Sequence, residues 1–227
     1  MPHAPVILKP HEPVAERVLL PGDPGRALRL ATRLIDGPRM LNHHRGLWGY
    51  SGLASDGEPL TIQSTGLGGP SAAAVVAELV ELGARRLVRV GTAAGLGATA
   101  LGSLVVVESA LAADGTSRAL GAGERIDADR DLSAALSRAC GAPGGLVASA
   151  DIHDPVLASA WAERGAVACD LTTAAVLAAA WRDGAAAGAV LAVTRAGGER
   201  VADDAVELLE AEAGAAALVA LLPRAAR

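Results

Sequence analysis

Two arginines stand where a guanidinium would need an anion. In Leu19-Leu20-Pro21-Gly22-Asp23-Pro24-Gly25-Arg26 a Gly-containing turn joins an apolar run to a helix start marked by Pro24. Backbone N–H groups at a helix N-terminus attract anions, and Arg26 on the first turn reaches the same spot. The alternative for this segment is an ordinary strand-to-helix turn with a surface arginine. In Leu87-Val88-Arg89-Val90-Gly91-Thr92 a lone arginine interrupts an apolar strand. Such a charge is unfavourable unless it meets an anion or a carboxylate, or unless the strand is an edge with Arg89 in water. Gly91 and Thr92 follow with a hydroxyl and free N–H groups, which suit an oxyanion.

Other segments narrow the chemistry. Ser64-Thr65-Gly66-Leu67-Gly68-Gly69-Pro70-Ser71 is a second Gly-rich turn between strand and helix. Its superficial likeness to a dinucleotide fingerprint fails, because the residues about 20 positions on are Arg85, Arg86 and Leu87, with no acid to hold a ribose hydroxyl. Helix packing and ligand contact remain equally open for it. His43 and His44, read as strand residues, would point to opposite faces and so share no metal. There is no GxSxG elbow, P-loop or HExxH. Cys140 and Cys169 have neither CxxC spacing nor His pairs nearby, which argues against a disulfide framework or structural zinc.

The elements that position these residues follow from periodicity. Short β-branched runs alternate with Ala- and Leu-rich stretches, the pattern of an α/β protein. Strands are expected at 17–20, 47–53, 60–64, 87–91, 104–109, 145–149, 167–170 and 189–194, and helices at 24–34, 70–82, 132–140, 155–164, 172–182 and 205–222. Pro24, Pro70 and Pro155 each suit a first helical turn. Segments 115–131 and 196–204 read as surface loops. The 227 residues, 51% hydrophobic with no Phe, fit one domain whose core is filled by small side chains, and no linker or repeat interrupts them. A formal charge of −5 speaks against a nucleic-acid partner. Neither a signal peptide nor a membrane-length apolar segment is legible, so a cytoplasmic protein is expected.

Taken together, Pro21-Gly22-Asp23-Pro24 with Arg26, Arg45-Gly46, the turn from Ser64 to Ser71, and Arg89-Val90-Gly91-Thr92 are collinear with the motifs of nucleoside phosphorylases. The chain resembles the hexameric bacterial type, which includes purine nucleoside phosphorylase and uridine phosphorylase. The resemblance implies a single-domain three-layer α/β/α fold with a central mixed, partly barrel-like sheet. It implies phosphate binding by Gly22, Arg26, Arg89 and Thr92, and by an Arg45 lent from a neighbouring subunit in a dimer unit of a hexamer. It also implies a nucleoside and inorganic phosphate as the partners, with no cofactor and no metal. Phosphate would attack C1′ while Arg89 and Arg195 carry the catalysis.

The nucleoside side, by the same resemblance, uses Gly68, His153, Asp170, Leu171 and Thr172. Here the chain departs from the family: Asp170-Leu171-Thr172 stands in place of Glu-Met-Glu, so Thr172 offers a hydroxyl where a carboxylate holds the ribose. His153 replaces a stacking aromatic, and a family histidine near the N-terminus is missing around Val6, with His3 as a substitute. Arg195 falls where purine enzymes carry an Asp. An arginine there suits a base that leaves as an anion, which favours uridine slightly, whereas Arg45 to Gly52 is closer to the purine branch. Two alternatives follow: a nucleosidase using water, and a catalytically degenerate phosphate-binding homologue.

Overall fold

The computed structural model describes residues 5–222. The first strand, β1 (Arg17–Pro21), leads into α1 (Pro24–Leu34), then β2 (Ile35–Asn42), a 3-10 turn (His44–Gly46), β3 (Gly49–Ala54) and β4 (Pro59–Gln63). Helix α2 (Gly68–Glu81) precedes the long β5 (Arg86–Gly95) and β6 (Leu104–Ala112). A short α3 (Gly115–Ala119) and β7 (Arg125–Asp127) lead to α4 (Arg130–Cys140), β8 (Gly144–Ser149), α5 (Pro155–Glu163), β9 (Ala166–Asp170) and α6 (Thr173–Arg182). The chain continues through β10 (Ala186–Ala196) and β11 (Glu199–Arg200) to α7 (Asp203–Ala220).

All the strands share one mixed sheet. Strand β5 runs parallel to β1 on one side and to β10 on the other, and it also pairs antiparallel with β9 through Ala94 and Gly95. Because β10 pairs with β6, β6 with β8 and β8 with β9, the ring closes into a small barrel of β5, β10, β6, β8 and β9. Strands β1, β4, β3 and β2 extend the sheet outward from β5.

The alternation of side chains assigns the layers. Val18, Leu20, Leu87, Ala189 and Leu191 face α2 and α6, whereas Leu19, Val88, Val90 and Val190 face α1, α4 and α7. That is the period-2 switch of a sheet covered on both faces. Every residue from Thr173 to Ala180 in α6 is buried. Alanine allows this helix to lie close to both the sheet and α2, which offsets the absence of large aromatic side chains.

Three expectations are corrected. Segment 115–131 is more than a loop: Asp114 caps α3 by accepting from the Ser117 N–H, and Arg125–Asp127 pairs with β6. Segment 196–204 contains β11, which hairpins back on β10. His43 and His44 lie at a tight turn, where His43 stacks on His11 with centroids 5.5 Å apart and His44 Nδ1 is 3.0 Å from the Ile7 carbonyl.

That turn carries Arg45 in the left-handed region, at φ 58° and ψ 18°. A non-glycine residue adopts this only when its surroundings dictate it. Asn42 does so: its Oδ1 accepts the N–H groups of Lys9 and His44, and its Nδ2 donates to the carbonyls of His44 and Leu47. The segment leading into Lys9 is in turn fixed by Glu78 of α2, whose carboxylate accepts the N–H groups of Val6, Ile7 and Leu8, each at 2.7 Å. Glu78→Ala is therefore expected to lower stability by about 1–3 kcal/mol, the cost of stranding partly buried donors. Urea unfolding and amide exchange at Ile7 and Leu8 measure it; protection unchanged at both amides would refute the strap.

Candidate functional site

A cavity of about 410 Å³ opens where β1, β4 and β9 end beside the middle of β5. Its walls include Gly22, Arg26, Arg89 and Thr92 at one end, and His153, Asp170, Leu171, Thr172 and Arg195 toward the other. Nine of the residues singled out from the sequence thus converge, from segments spread across the chain. Gly66 and Leu67 of the second Gly-rich turn also line it. Gly68 does not: it already belongs to α2, at φ +80°. Arg45 does not line the cavity of its own chain and is exposed on its turn. His3 lies outside the described residues.

Arg89 is 5% exposed, in the middle of the sheet rather than at an edge. It points toward α6. Its Nε and Nη2 donate to Asp170 Oδ2 at 3.2 and 3.0 Å, and Nε also reaches Thr173 Oγ1 at 3.1 Å. Nη1 is buried without a hydrogen-bond partner among the described residues. A Cβ on Gly91 would lie 2.9 Å from the Arg89 guanidinium carbon, so the arginine head lies over a residue that must lack a side chain. Gly22 lies beside this nitrogen, a Cβ there standing at an ordinary contact distance of 3.9 Å from Nη1.

Asp170 therefore does something other than wait for a sugar. Its Oδ1 accepts from Ser149 Oγ at 2.6 Å and its Oδ2 from Thr173 Oγ1 at 2.7 Å, while the Thr173 N–H contacts both oxygens. With Arg89 added, the carboxylate's lone pairs are filled, and at 3% exposure it is the counter-ion of a buried arginine. Asp170 lines the cavity with its carboxylate already engaged by Arg89, Ser149 and Thr173. Of the stretch Asp170-Leu171-Thr172, Thr172 presents the uncommitted polar group, a hydroxyl that caps nothing.

Arg26 is 9% exposed, one turn into α1. Burial pushes its pKa down, opposed by Glu210 and reinforced by the neighbouring charge of Arg89. Two buried like charges thus line one cavity. Glu210 of α7 lies behind Arg26, its Oε1 2.6 Å from Nε, an ion contact whose geometry is off-axis for a hydrogen bond. The helix start contributes less than its sequence suggests, because Pro24 has no N–H and Asp23 takes the Arg26 N–H at 2.7 Å.

Toward the far end, Arg195 is placed by a bulge. The register between β10 and β5 slips between Val193 and Arg195, and Arg195, exposed, lines the cavity there. Its Nη2 is 3.2 Å from His153 Nε2, in the loop before α5. A second chamber of about 590 Å³ shares Ala94, His153 and Arg195 with the first and is floored by Cys169, whose thiol burial keeps neutral. Among the described residues no three His, Cys, Asp or Glu side chains converge as metal ligands, and no helix is long and apolar enough to cross a membrane.

Ser149, Thr173 and Glu210 belong to this site and were not picked out from sequence. Ser149 and Thr173 are common residue types whose only signal was adjacency to a strand end and a helix start. Glu210 sits in the acidic run Asp203 to Glu212, which with the apolar stretch after it suits an amphipathic helix but does not mark which acid turns inward.

The Phosphorylase superfamily model matches residues 16–223. Among curated proteins, the uridine phosphorylase of Treponema pallidum is 38% identical over 106 residues, 46% of this chain and 40% of that protein. The DeoD-type purine nucleoside phosphorylase of Clostridium perfringens is 43% identical over 84 residues, 37% of this chain and 35% of that one. That of Geobacillus kaustophilus is 44% identical over 80 residues, 35% and 34% respectively. The chain thus spans well under half the length of the relatives it matches.

The Arg195–His153 contact has a pH sense. Partial burial first and the charge of Arg195 second push His153 below its ordinary 6.5, against a smaller opposing pull from Asp170. The neutral ring accepts from Arg195; the contact is intact above that ordinary value and is lost as pH falls through the depressed one. NMR titration of the His153 ring is expected to give a midpoint below 6.5 that climbs in Arg195→Met. A midpoint indifferent to that substitution would discard the pairing.

Proposed function

The chain belongs to the Phosphorylase superfamily, and on that premise we propose that it cleaves nucleosides with inorganic phosphate, releasing a free base and a pentose 1-phosphate. The observation that carries the reading is the pair of buried guanidiniums, Arg26 and Arg89, lining one cavity with Thr92, one of them with Nη1 unpartnered among the described residues. A tetrahedral oxyanion between Arg26 and Arg89 would offset their like charges and accept from Nη1, whereas a neutral water as nucleophile would leave the two positive charges uncompensated.

In the reaction a phosphate oxygen forms a bond to C1′ as the glycosidic C–N bond breaks, and the bonding electrons leave with the base. Holding phosphate in line removes the entropy of bringing the two reactants together. Gly22, Arg26, Arg89 and Thr92 are assigned to phosphate. His153, Leu171 and Thr172 are assigned to the nucleoside, with Asp170 acting through Arg89. Arg195 faces the leaving base. As a donor that cannot usefully give up its proton, it suits a base departing as an anion, which then takes a proton from solvent. Uracil fits this slightly better than a purine that must be protonated as it leaves.

One observation favours a second reading, a phosphate-binding homologue without turnover: among the described residues the carboxylates lining the cavity are Asp170, committed to Arg89, and Asp23, committed to its helix. A single assay separates the readings. Base release from uridine, inosine and their 2′-deoxy forms is measured with and without phosphate. Phosphate-dependent release is the expected result. An equal rate without phosphate indicates hydrolysis, and calorimetric phosphate binding with no release on any substrate indicates the non-catalytic homologue.

Arg45 is proposed to act in a neighbouring copy, within a dimer unit of a hexamer. It is exposed, fixed in a left-handed turn, and absent from its own cavity. Chains carrying Arg45→Ala and Arg26→Ala are each expected to be nearly inactive. Co-expressed, they should regain roughly a quarter of wild-type activity, because half of randomly formed dimers hold one intact site of two. No recovery on mixing, or full activity of Arg45→Ala alone, would count against lending.

A further inference from the structure

Helix α7 carries a row of carboxylates, and one of them behaves unlike the rest. Asp203, Asp204, Glu207 and Glu212 are exposed, whereas Glu210 is 3% exposed. Its two oxygens are divided between two arginines of α1: Oε1 lies 2.6 Å from Arg26 Nε and Oε2 2.7 Å from Arg29 Nη2. Arg29 is half-exposed and faces away from the cavity, while Arg26 lines it. The reach depends on close helix contact. A Cβ on Gly214, one turn beyond Glu210, would stand 2.4 Å from Leu30 Cδ2 of α1, so glycine there lets α7 approach.

We infer that Glu210 is a positioning residue for the anion end of the cavity. It holds Arg26 by the Nε edge, the edge away from the ligand, and leaves the terminal nitrogens to the cavity. Nη1 is otherwise restrained only by a long 3.4 Å contact to the Val90 carbonyl. An arginine has four rotatable side-chain bonds and a planar head, so fixing one edge fixes the plane in which the other can engage an oxyanion. Asp170 does the corresponding work behind Arg89. The anion end is then built from two guanidiniums, each seated on its own buried carboxylate from a different helix or strand.

Position and charge make opposite predictions here, which makes the inference testable. If Glu210 acted on the anion only through its negative charge, removing it would tighten phosphate binding, since a repulsive charge would be gone. If it orients Arg26, removing or shortening it weakens binding. The full chain and its Glu210→Gln and Glu210→Asp variants are titrated with inorganic phosphate by calorimetry, and phosphate and nucleoside KM are measured separately. Glu210→Asp keeps the charge and loses reach, so it decides the matter where Glu210→Gln fails to fold.

Both variants are expected to raise the phosphate Kd and KM by roughly tenfold or more, the size of effect seen when an outer partner orienting a ligand group is lost. Nucleoside KM should change by less than about threefold. Arg29→Met, which leaves the Arg26 contact in place, should also stay within about threefold, because a half-exposed ion pair contributes little. A phosphate Kd that is unchanged or tighter in folded Glu210→Asp overturns the inference, as does a fall in melting temperature with phosphate affinity intact. The inference rests on the cavity being an anion site. Wild-type protein that binds no phosphate would refute that reading as well, whereas wild-type binding with an unaltered Glu210→Asp refutes this inference alone.

Discussion

Everything at the cavity depends on burying two guanidiniums next to each other. Taking such charges out of water costs several kcal/mol per ion, and like charges at close range add to it. The protein offsets this with two carboxylates of its own, Asp170 behind Arg89 and Glu210 behind Arg26, both as buried as the arginines they hold. Net stability from such pairs is modest, but breaking one leaves an uncompensated buried charge, at a cost of about 3–5 kcal/mol. The same groups that form the site are thus bound into the fold: Asp170 ties β9 and the start of α6 to β5, and Glu210 ties α7 to α1.

The small-residue core follows from this arrangement. Asp170 reaches Arg89 because α6 begins directly beside β5, and an alanine-rich helix buried from Thr173 to Ala180 can sit that close. On the opposite face Gly214 plays the same part for α7 against α1. Larger side chains at these contacts would push the helices outward and withdraw the carboxylates from the arginines. The composition, rich in alanine and without phenylalanine, serves the electrostatics of the site as well as the packing.

What the sequence made legible was local. Arg89-Val90-Gly91-Thr92 could be read because a charge inside an apolar strand demands a partner, and Gly91 proves to be the surface on which that charge lies. The α/β alternation and most element boundaries came from periodicity and prolines: α1 and α5 begin at Pro24 and Pro155. The misses share a cause. Strand β2 contains Gly37 and Pro38 and pairs irregularly at an edge of the sheet, which breaks the alternation that would reveal it. Asp170 as counter-ion and Glu210 as clamp are contacts across 81 and 184 residues, and nothing in a helix's own pattern says which of its acids turns inward.

The proposed loan of Arg45 by a second copy has an electrostatic argument as well. The cavity is lined by Arg26, Arg89 and Arg195 against Asp23 and Asp170, an excess of one positive charge. A phosphate dianion entering this enclosure would leave it net negative in a place of low dielectric, where uncompensated charge is costly. One more guanidinium restores neutrality. Arg45 is exposed, already charged, and fixed in an otherwise unfavourable backbone conformation by Asn42 and the strap that Glu78 holds. Strain of that kind persists only where surrounding contacts over-determine it. An exposed arginine fixed on its turn and a cavity one positive charge short of balancing a phosphate dianion are complementary, which is the electrostatic argument for the proposed intersubunit loan of Arg45.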